Sequence, residues 1–165
     1  MTHFRHSIFT GALIAGSLAS FLSTAALMQA GARRARALAP VNAISHWYWG
    51  DSALHRTRAD LGHTLLGYVT HHVASVFWST LLMHRLHRAS APPTAARIAA
   101  ASAGTGALAC VVDFKFTPER FTPGFEHEIG KPALAGVYVA FAAGMALGAL
   151  LLRAPEGSED GGNAA

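Results

Sequence analysis

A run of 26 residues without a charged or histidine side chain, residues 7–32, constrains this chain more than any other feature. At about 1.5 Å per residue, a helix of that length exceeds the roughly 30 Å hydrocarbon core of a bilayer. Residues 61–84 form a second uncharged run if their histidines are neutral, and residues 132–152 form a third. The sequence therefore predicts an integral membrane protein.

A fourth span is predicted between the second and third runs, on weaker grounds. Only 15 uncharged residues separate Arg97 from Asp113. A helix that begins near Pro93 nevertheless reaches spanning length if the Arg97 side chain extends to the interface. We therefore expect one all-α domain over residues 1–153, an integral membrane four-helix bundle with two interfacial loops. The predicted spans are about 8–31, 61–84, 93–113 and 132–152, and the acidic, glycine-rich tail 154–165 is predicted to be disordered.

Composition agrees with this fold class. Hydrophobic residues make up 52% of the chain and charged residues 13%, about half the usual charged share of a soluble domain. These values exclude a disordered chain, a coiled coil and a typical soluble enzyme. The net charge of +4 does not require nucleic acid as a partner, because arginines beside membrane spans produce it as well. A single cysteine, Cys110, excludes an internal disulfide framework.

The distribution of Lys and Arg predicts the orientation in the membrane. With four spans, the first and third loops share one side and carry eight basic residues: Arg33, Arg34, Arg36, Arg56, Arg58, Lys115, Arg120 and Lys131. The opposite side carries five: Arg5, Arg85, Arg88, Arg97 and Arg153. Because basic loops stay in the cytoplasm, we expect a multi-pass protein of the bacterial inner membrane with both long loops cytoplasmic.

The alternative for the first span is a cleaved signal peptide. Arg5 precedes the apolar run, and Ala30, Gly31 and Ala32 are small residues suited to cleavage. The length of the run and the basic cluster 33–36 directly after it favour a retained helix, since positive charge there resists translocation.

Polar residues of the second span share one face of a helical wheel. Within one half-turn lie His63, Thr64, Gly67, Tyr68, Thr70, His71, His72, Ser75, Trp78 and Ser79. The opposite arc, which includes Val69, Val73 and Phe77, is almost entirely apolar. Because unsatisfied polar groups are costly in hydrocarbon, we expect the polar half inside the bundle and the apolar arc toward lipid.

The other spans carry ridges of small or polar residues. Ser102, Gly106, Cys110 and Asp113 lie within about 80° of one another on the third span. On the fourth span, Gly136, Ala140, Gly144 and Gly148 recur every four residues, a pattern that lets another helix approach closely. The ridge predicts packing either within the monomer or between two copies.

The loops carry signals for helix starts and for interfacial position. Residues 57–60 fit a capping box that opens the second span, and Thr117 is placed to cap a short helix. Aromatic side chains typical of the headgroup level occur in both loops: Trp47, Tyr48, Trp49, Phe114, Phe116, Phe121 and Phe125.

Ionisable residues form the candidate site, a polar cluster of His46, Asp51, His63, His71, His72, Asp113, Arg120 and Glu126. The simplest interpretation is a buried hydrogen-bonded pair of His63 and Asp113, with Asn42, His46 and Asp51 ordering the first loop. Arg120 is expected to pair with Asp51, Glu119 or Glu126. The alternative is a transition-metal site with His63, Asp113, Glu126 and His127 as ligands. Haem is disfavoured, because only the second span has histidines near the midplane.

No strong enzyme motif is present, so we expect a non-enzymatic membrane protein with a structural or partner-binding role. Its partners are then the lipid bilayer and further copies of the chain or a larger membrane complex. Two alternatives stay open: a proton or ion pathway along the histidines of the second span, and a membrane-embedded enzyme that uses His63, Asp113 and Glu126.

Three stretches carry a resemblance: residues 42–51, residues 63–78, and residues 113–126 with their Pro-x-Arg-x-x-Pro-Gly-Phe-Glu core. Together they resemble small uncharacterised inner-membrane proteins of bacteria, over roughly residues 8–152. The resemblance implies the same membrane architecture and implies no activity.

Overall fold

The computed structural model describes Phe4 and residues 6–153, so the predicted tail lies outside the described residues. This part of the chain is helical, and the only strand-like pairing described is an isolated bridge between Phe4 and Arg153. The helices are α1 (Ile8–Ala32), α2 (Ala39–Ala43), α3 (His46–Trp49), α4 (Leu66–His87), α5 (Ala95–Val111) and α6 (Lys131–Leu152). A π-helical turn, Leu61–Leu65, precedes α4, and another, Val112–Phe116, continues α5.

Three of these helices are long and apolar enough to cross a membrane: Ile8–Ala32, Ala95–Phe116 and Lys131–Leu152. They correspond to the first, third and fourth predicted spans. The helix over the second predicted span, α4, has the same length as α6 but is not among the three. Its histidines and hydroxyl residues lower the mean hydropathy of the helix.

Local hydrogen bonds decide where the long helices begin. Thr94 caps α5 by accepting a hydrogen bond from the Arg97 backbone N–H. The predicted capping box at residues 57–60 is displaced by three residues, because the Asp60 carboxylate itself accepts the His63 N–H at 2.7 Å. The short helix expected at Thr117 is a single 3₁₀ turn that begins at Glu119, since Pro118 has extended backbone angles.

Glycines set the closest packing between the long helices, of which α1 packs on α4 and α6, and α6 also packs on α5. A Cβ atom added at Gly144 of α6 would lie 2.5 Å from the Ala19 Cα of α1, and Gly148 meets Ala15 in the same way. Gly136 at the other end of the ridge has nothing within 4 Å of its Cβ position. The ridge therefore closes the monomer through two of its four small residues.

The two faces of α4 follow the helical wheel. Thr70, Ser75 and Ser79 are buried against the other helices, whereas Val73 and Phe77 are 62% and 65% exposed. The hydroxyls of Thr70 and Ser75 are satisfied within the helix, where each donates to the carbonyl oxygen four residues earlier at 2.8 Å. Over residues 66–79 this helix is therefore polar on its inner face and apolar on its outer face, the reverse of a helix on a water-soluble protein.

Two apolar clusters form the core between the packed helices. One lies at the end away from the long loops and includes Leu82, Leu86, Ile98 and Met145. The other lies beneath the long loops and is formed by Leu27, Val41, Ile44, Phe125, Ile129 and Val137. Phe125 was expected at the headgroup level, but it is 3% exposed because the third loop turns inward and inserts this ring into the core.

Candidate functional site

Asn42 connects the first long loop to the start of α4. Its fully buried side-chain amide donates hydrogen bonds to the carbonyl oxygens of Arg56 and Arg58, at 2.9 and 3.0 Å. Its carbonyl oxygen accepts from the Thr64 hydroxyl at 2.7 Å. One amide thus satisfies three groups and fixes the loop against the helix.

The two long loops pack on each other at one end of the bundle. His46 Nε2 and Trp47 Nε1 both donate to the Thr122 carbonyl oxygen, each at 2.8 Å. The third loop approaches closely at Gly124, which has a φ of +87° and lies against the Ala43 carbonyl. The positive φ at Gly124, directly after Pro123, therefore lets the third loop pack closely on the first.

Arg120 does not bond to a carboxylate as expected. Its Nη1 atom donates to the His46 carbonyl oxygen at 3.0 Å, and the same oxygen accepts the backbone N–H of Gly50 at the end of α3. Asp51 is exposed, and no hydrogen bond or ion pair of its side chain occurs within the described residues. Of the residues expected to order the first loop, Asn42 and His46 do so.

His63 and Asp113 have different partners, so the expected pair between them is not formed. His63 Nδ1 lies 2.9 Å from Asp60 Oδ1, a local contact across one turn. This hydrogen bond lowers the pKa of the Asp60 carboxyl below its usual range. Asp113 instead accepts a hydrogen bond of 2.6 Å from the Tyr138 hydroxyl of α6. Each pairing satisfies its own carboxylate without the other.

The four proposed metal ligands are not gathered. In Phe4 and residues 6–153, no three His, Cys, Asp or Glu side chains lie close enough together to hold a metal ion. Glu126 Oε1 lies 3.8 Å from His127 Nε2, and Glu126 is within electrostatic range of Asp113. His63 is paired with Asp60 instead of with these residues. The triad of the enzyme alternative is separated in the same way.

His71 and His72, at the middle of α4, have separate surroundings. His71 Nε2 lies 2.7 Å from the Ser23 Oγ of α1. The Ser23 hydroxyl already donates to the Ala19 carbonyl oxygen at 2.7 Å, and it has only one proton. The imidazole therefore donates from Nε2, which leaves Nδ1 as an acceptor. His72 packs beside Tyr68 with ring centroids 6.0 Å apart and does not share this hydrogen bond.

A cavity of about 530 Å³ lies between α4 and α5 beneath the loops. Its walls are mostly apolar, and the exposed residues Val69, Val73 and Phe77 of α4 stand at one side of it. Phe125 forms part of the inner wall, with its ring centroid 6.4 Å from His71 and 6.5 Å from Tyr138. The cavity thus carries two polar pairs, His71 with Ser23 and Asp113 with Tyr138, on either side of one aromatic ring.

Three participants in these contacts were not predicted from the sequence. Ser23 contributes one member of a cavity pair, and the sequence around it in α1 gave no signal of this contact. Tyr138 is the only residue between Lys131 and Arg153 with a hydrogen-bonding side chain, a signal that could have identified it. Glu128 is 6% exposed and lies 3.4 Å from Arg36, an ion pair that fastens the third loop to the end of α1.

Comparisons of the chain with protein-family models, with curated proteins and with solved structures found no match.

Proposed function

We propose that this chain is a small multi-pass protein of the bacterial inner membrane that binds a bilayer-soluble molecule without transforming it. Both long loops are placed in the cytoplasm, and α4 crosses the membrane with the three more apolar helices. The observation that carries the proposal is the cavity between α4 and α5, which is apolar, bears two polar pairs, and borders the exposed apolar face of α4.

The size of the cavity supports a small ligand. Its volume of about 530 Å³ lies within the range of small-molecule sites, roughly 300–1,000 Å³. Protein interiors are otherwise packed with few voids larger than a water molecule, so a space of this size between two helices is suited to an apolar body.

The polar pairs define the head group of the ligand. Tyr138 uses its proton on Asp113 Oδ2, and His71 uses its Nε2 proton on Ser23. The groups left for a ligand are acceptors, namely His71 Nδ1 and the second oxygen of Asp113. A ligand with an apolar chain and a hydroxyl group packs against the apolar walls and donates a hydrogen bond to one of these acceptors. A ligand without a donor leaves both acceptors unpaired.

Tryptophan quenching tests this proposal, because Trp47 and Trp78 line the cavity. The detergent-purified full chain is titrated with a long-chain alcohol brominated on its chain and, in parallel, with the matching brominated alkane. Bromine quenches indole fluorescence at near contact. We expect saturable quenching by the alcohol and at least about tenfold weaker quenching by the alkane, since one hydrogen bond to a charged or buried group contributes about 1.5–3 kcal/mol.

Two substitutions separate cavity binding from adsorption to the micelle. Ala74 lines the cavity, so Ala74→Phe places a ring inside it. Val139 of α6 is 69% exposed, so Val139→Phe adds the same ring on the outer surface. We expect Ala74→Phe to remove saturable quenching and Val139→Phe to retain it. Equal quenching in both variants, or no saturation in the wild type, would overturn the proposal.

A further inference from the structure

A second cavity, of about 430 Å³, lies at the opposite end of the bundle from the long loops. It is formed where α4 ends, the chain turns, and α5 begins. Three arginines line it, Arg85 in the last turn of α4, Arg88 directly after α4 and Arg97 in the first turn of α5, together with Ser90 of the turn. Three basic residues thus line one concave space at the end of two helices.

These arginines have no carboxylate to neutralise them within the described part of the chain. Their side chains take part in none of the ion pairs there, and the sequence has no Asp or Glu between Asp60 and Asp113. Arg153, at the nearby end of α6, donates to the Pro93 carbonyl oxygen. In the part of the chain that the structure describes, no carboxylate therefore offsets the positive charge of Arg85, Arg88 and Arg97.

Helix dipoles explain only part of this arrangement. Arg85 and Arg88 lie at the C-terminal end of α4, where positive charge is favourable. Arg97 lies in the first turn of α5, where a positive side chain is unfavourable and an anion is favoured. An anion bound in the cavity would make all three positions favourable at once.

We infer that this arginine cavity binds a phosphate-bearing anion. Arginine forks match phosphate oxygens geometrically and bind them with two parallel hydrogen bonds. Two sources carry this chemistry, the head group of an anionic phospholipid and free phosphate. The site shares no lining residue with the apolar cavity between α4 and α5, so its test does not depend on the proposed function.

Native mass spectrometry on the full chain tests the site with phosphatidylglycerol and phosphatidylcholine of the same acyl chains as probes. We expect the wild type to prefer phosphatidylglycerol. The variant R85Q/R88Q/R97Q should lose on the order of a hundredfold in affinity for it, and R88Q alone about fivefold, from the contribution of about 1 kcal/mol per basic residue. A calorimetric titration with inorganic phosphate distinguishes the two sources: binding by the wild type and not by the triple variant identifies free phosphate as the ligand.

The matched control is R33Q/R56Q/R58Q, which removes the same charge from exposed arginines at the loop end of the bundle. We expect this control to keep the lipid preference, because a general charge effect would reduce it equally. The inference is overturned if both triple variants bind the two lipids alike, or if the site variant keeps its preference. It is also overturned if the wild type binds phosphate only after Glu156, Glu159 and Asp160 are neutralised, since the chain's own carboxylates would then be the occupant.

Discussion

The contact between α1 and α6 predicts opposite effects for two glycines of the same ridge. A Cβ added at Gly144 would lie 2.5 Å from Ala19 Cα and 2.6 Å from both Ala19 N and Leu18 O. Non-bonded carbon atoms are comfortable at about 3.5–4.0 Å, so the two helices must separate by about 1 Å. All three atoms belong to the backbone, and no side-chain rotation can relieve the overlap.

Gly136→Ala is the matched control, because nothing lies within 4 Å of its Cβ position. Both substitutions gain about 1 kcal/mol in helix propensity, and this gain cancels in the comparison. The remaining difference is the cost of overpacking, about 1–3 kcal/mol, so Gly144→Ala should be less stable than Gly136→Ala by that amount.

Unfolding of both variants in mixed micelles with increasing SDS, followed by circular dichroism, measures this difference. We expect Gly136→Ala to unfold at or above the SDS fraction of the wild type and Gly144→Ala clearly below it. Equal midpoints for the two variants would refute the close packing of α1 on α6.

Two further predictions concern the loops. Gly124→Ala should lower the melting temperature of the protein more than Gly50→Ala does. Both positions have a positive φ, which costs an alanine about 1–3 kcal/mol, but only at Gly124 would the added Cβ also lie against backbone, 2.6 Å from the Ala43 oxygen. Equal melting temperatures of the two variants would contradict the close packing of the third loop on the first. The lowered pKa of Asp60 means that its carboxylate stabilises the start of α4 above the ordinary Asp pKa, and that this stability is lost as pH falls through the lower folded value. Asp60→Ala should therefore weaken the fall of the free energy of unfolding with pH below about pH 4, whereas Asp51→Ala, at an exposed residue, should leave that fall unchanged. Identical pH dependence of stability in the two variants would contradict the Asp60 cap.

The sequence was sufficient for features that depend on local periodicity. The faces of α4 follow from a 100° wheel because burial in a bundle repeats with the helix, and the exposed Val73 and buried Ser75 bear this out. The extent of α1 likewise follows from an uncharged run bounded by basic residues. In both cases the deciding information lies within one helix.

Contacts between distant segments were not predictable in the same way. Ser23 contacts His71, 48 positions away in the sequence, and Asp113 contacts Tyr138, 25 positions away. A helical wheel of one helix does not show which residues of another helix pack against it. The expected pair of His63 and Asp113 had the right residue types but the wrong carboxylate, since Asp60 is closer to His63 in the sequence and in space. Phe125 was misplaced because an aromatic residue in a loop gives no sign of whether the loop turns inward or lies on the membrane.

The central claim is that α4 crosses the bilayer with Val73 facing lipid, which places the cavity within reach of bilayer-soluble molecules. A spin label at V73C, in a chain that also carries C110A, tests it in proteoliposomes by collision with oxygen and with a water-soluble nickel chelate. We expect frequent collision with oxygen and little with nickel at position 73, and the reverse for a label at D51C in the first loop. Frequent collision with nickel at position 73 would contradict the membrane position of α4 and, with it, the route of the ligand into the cavity.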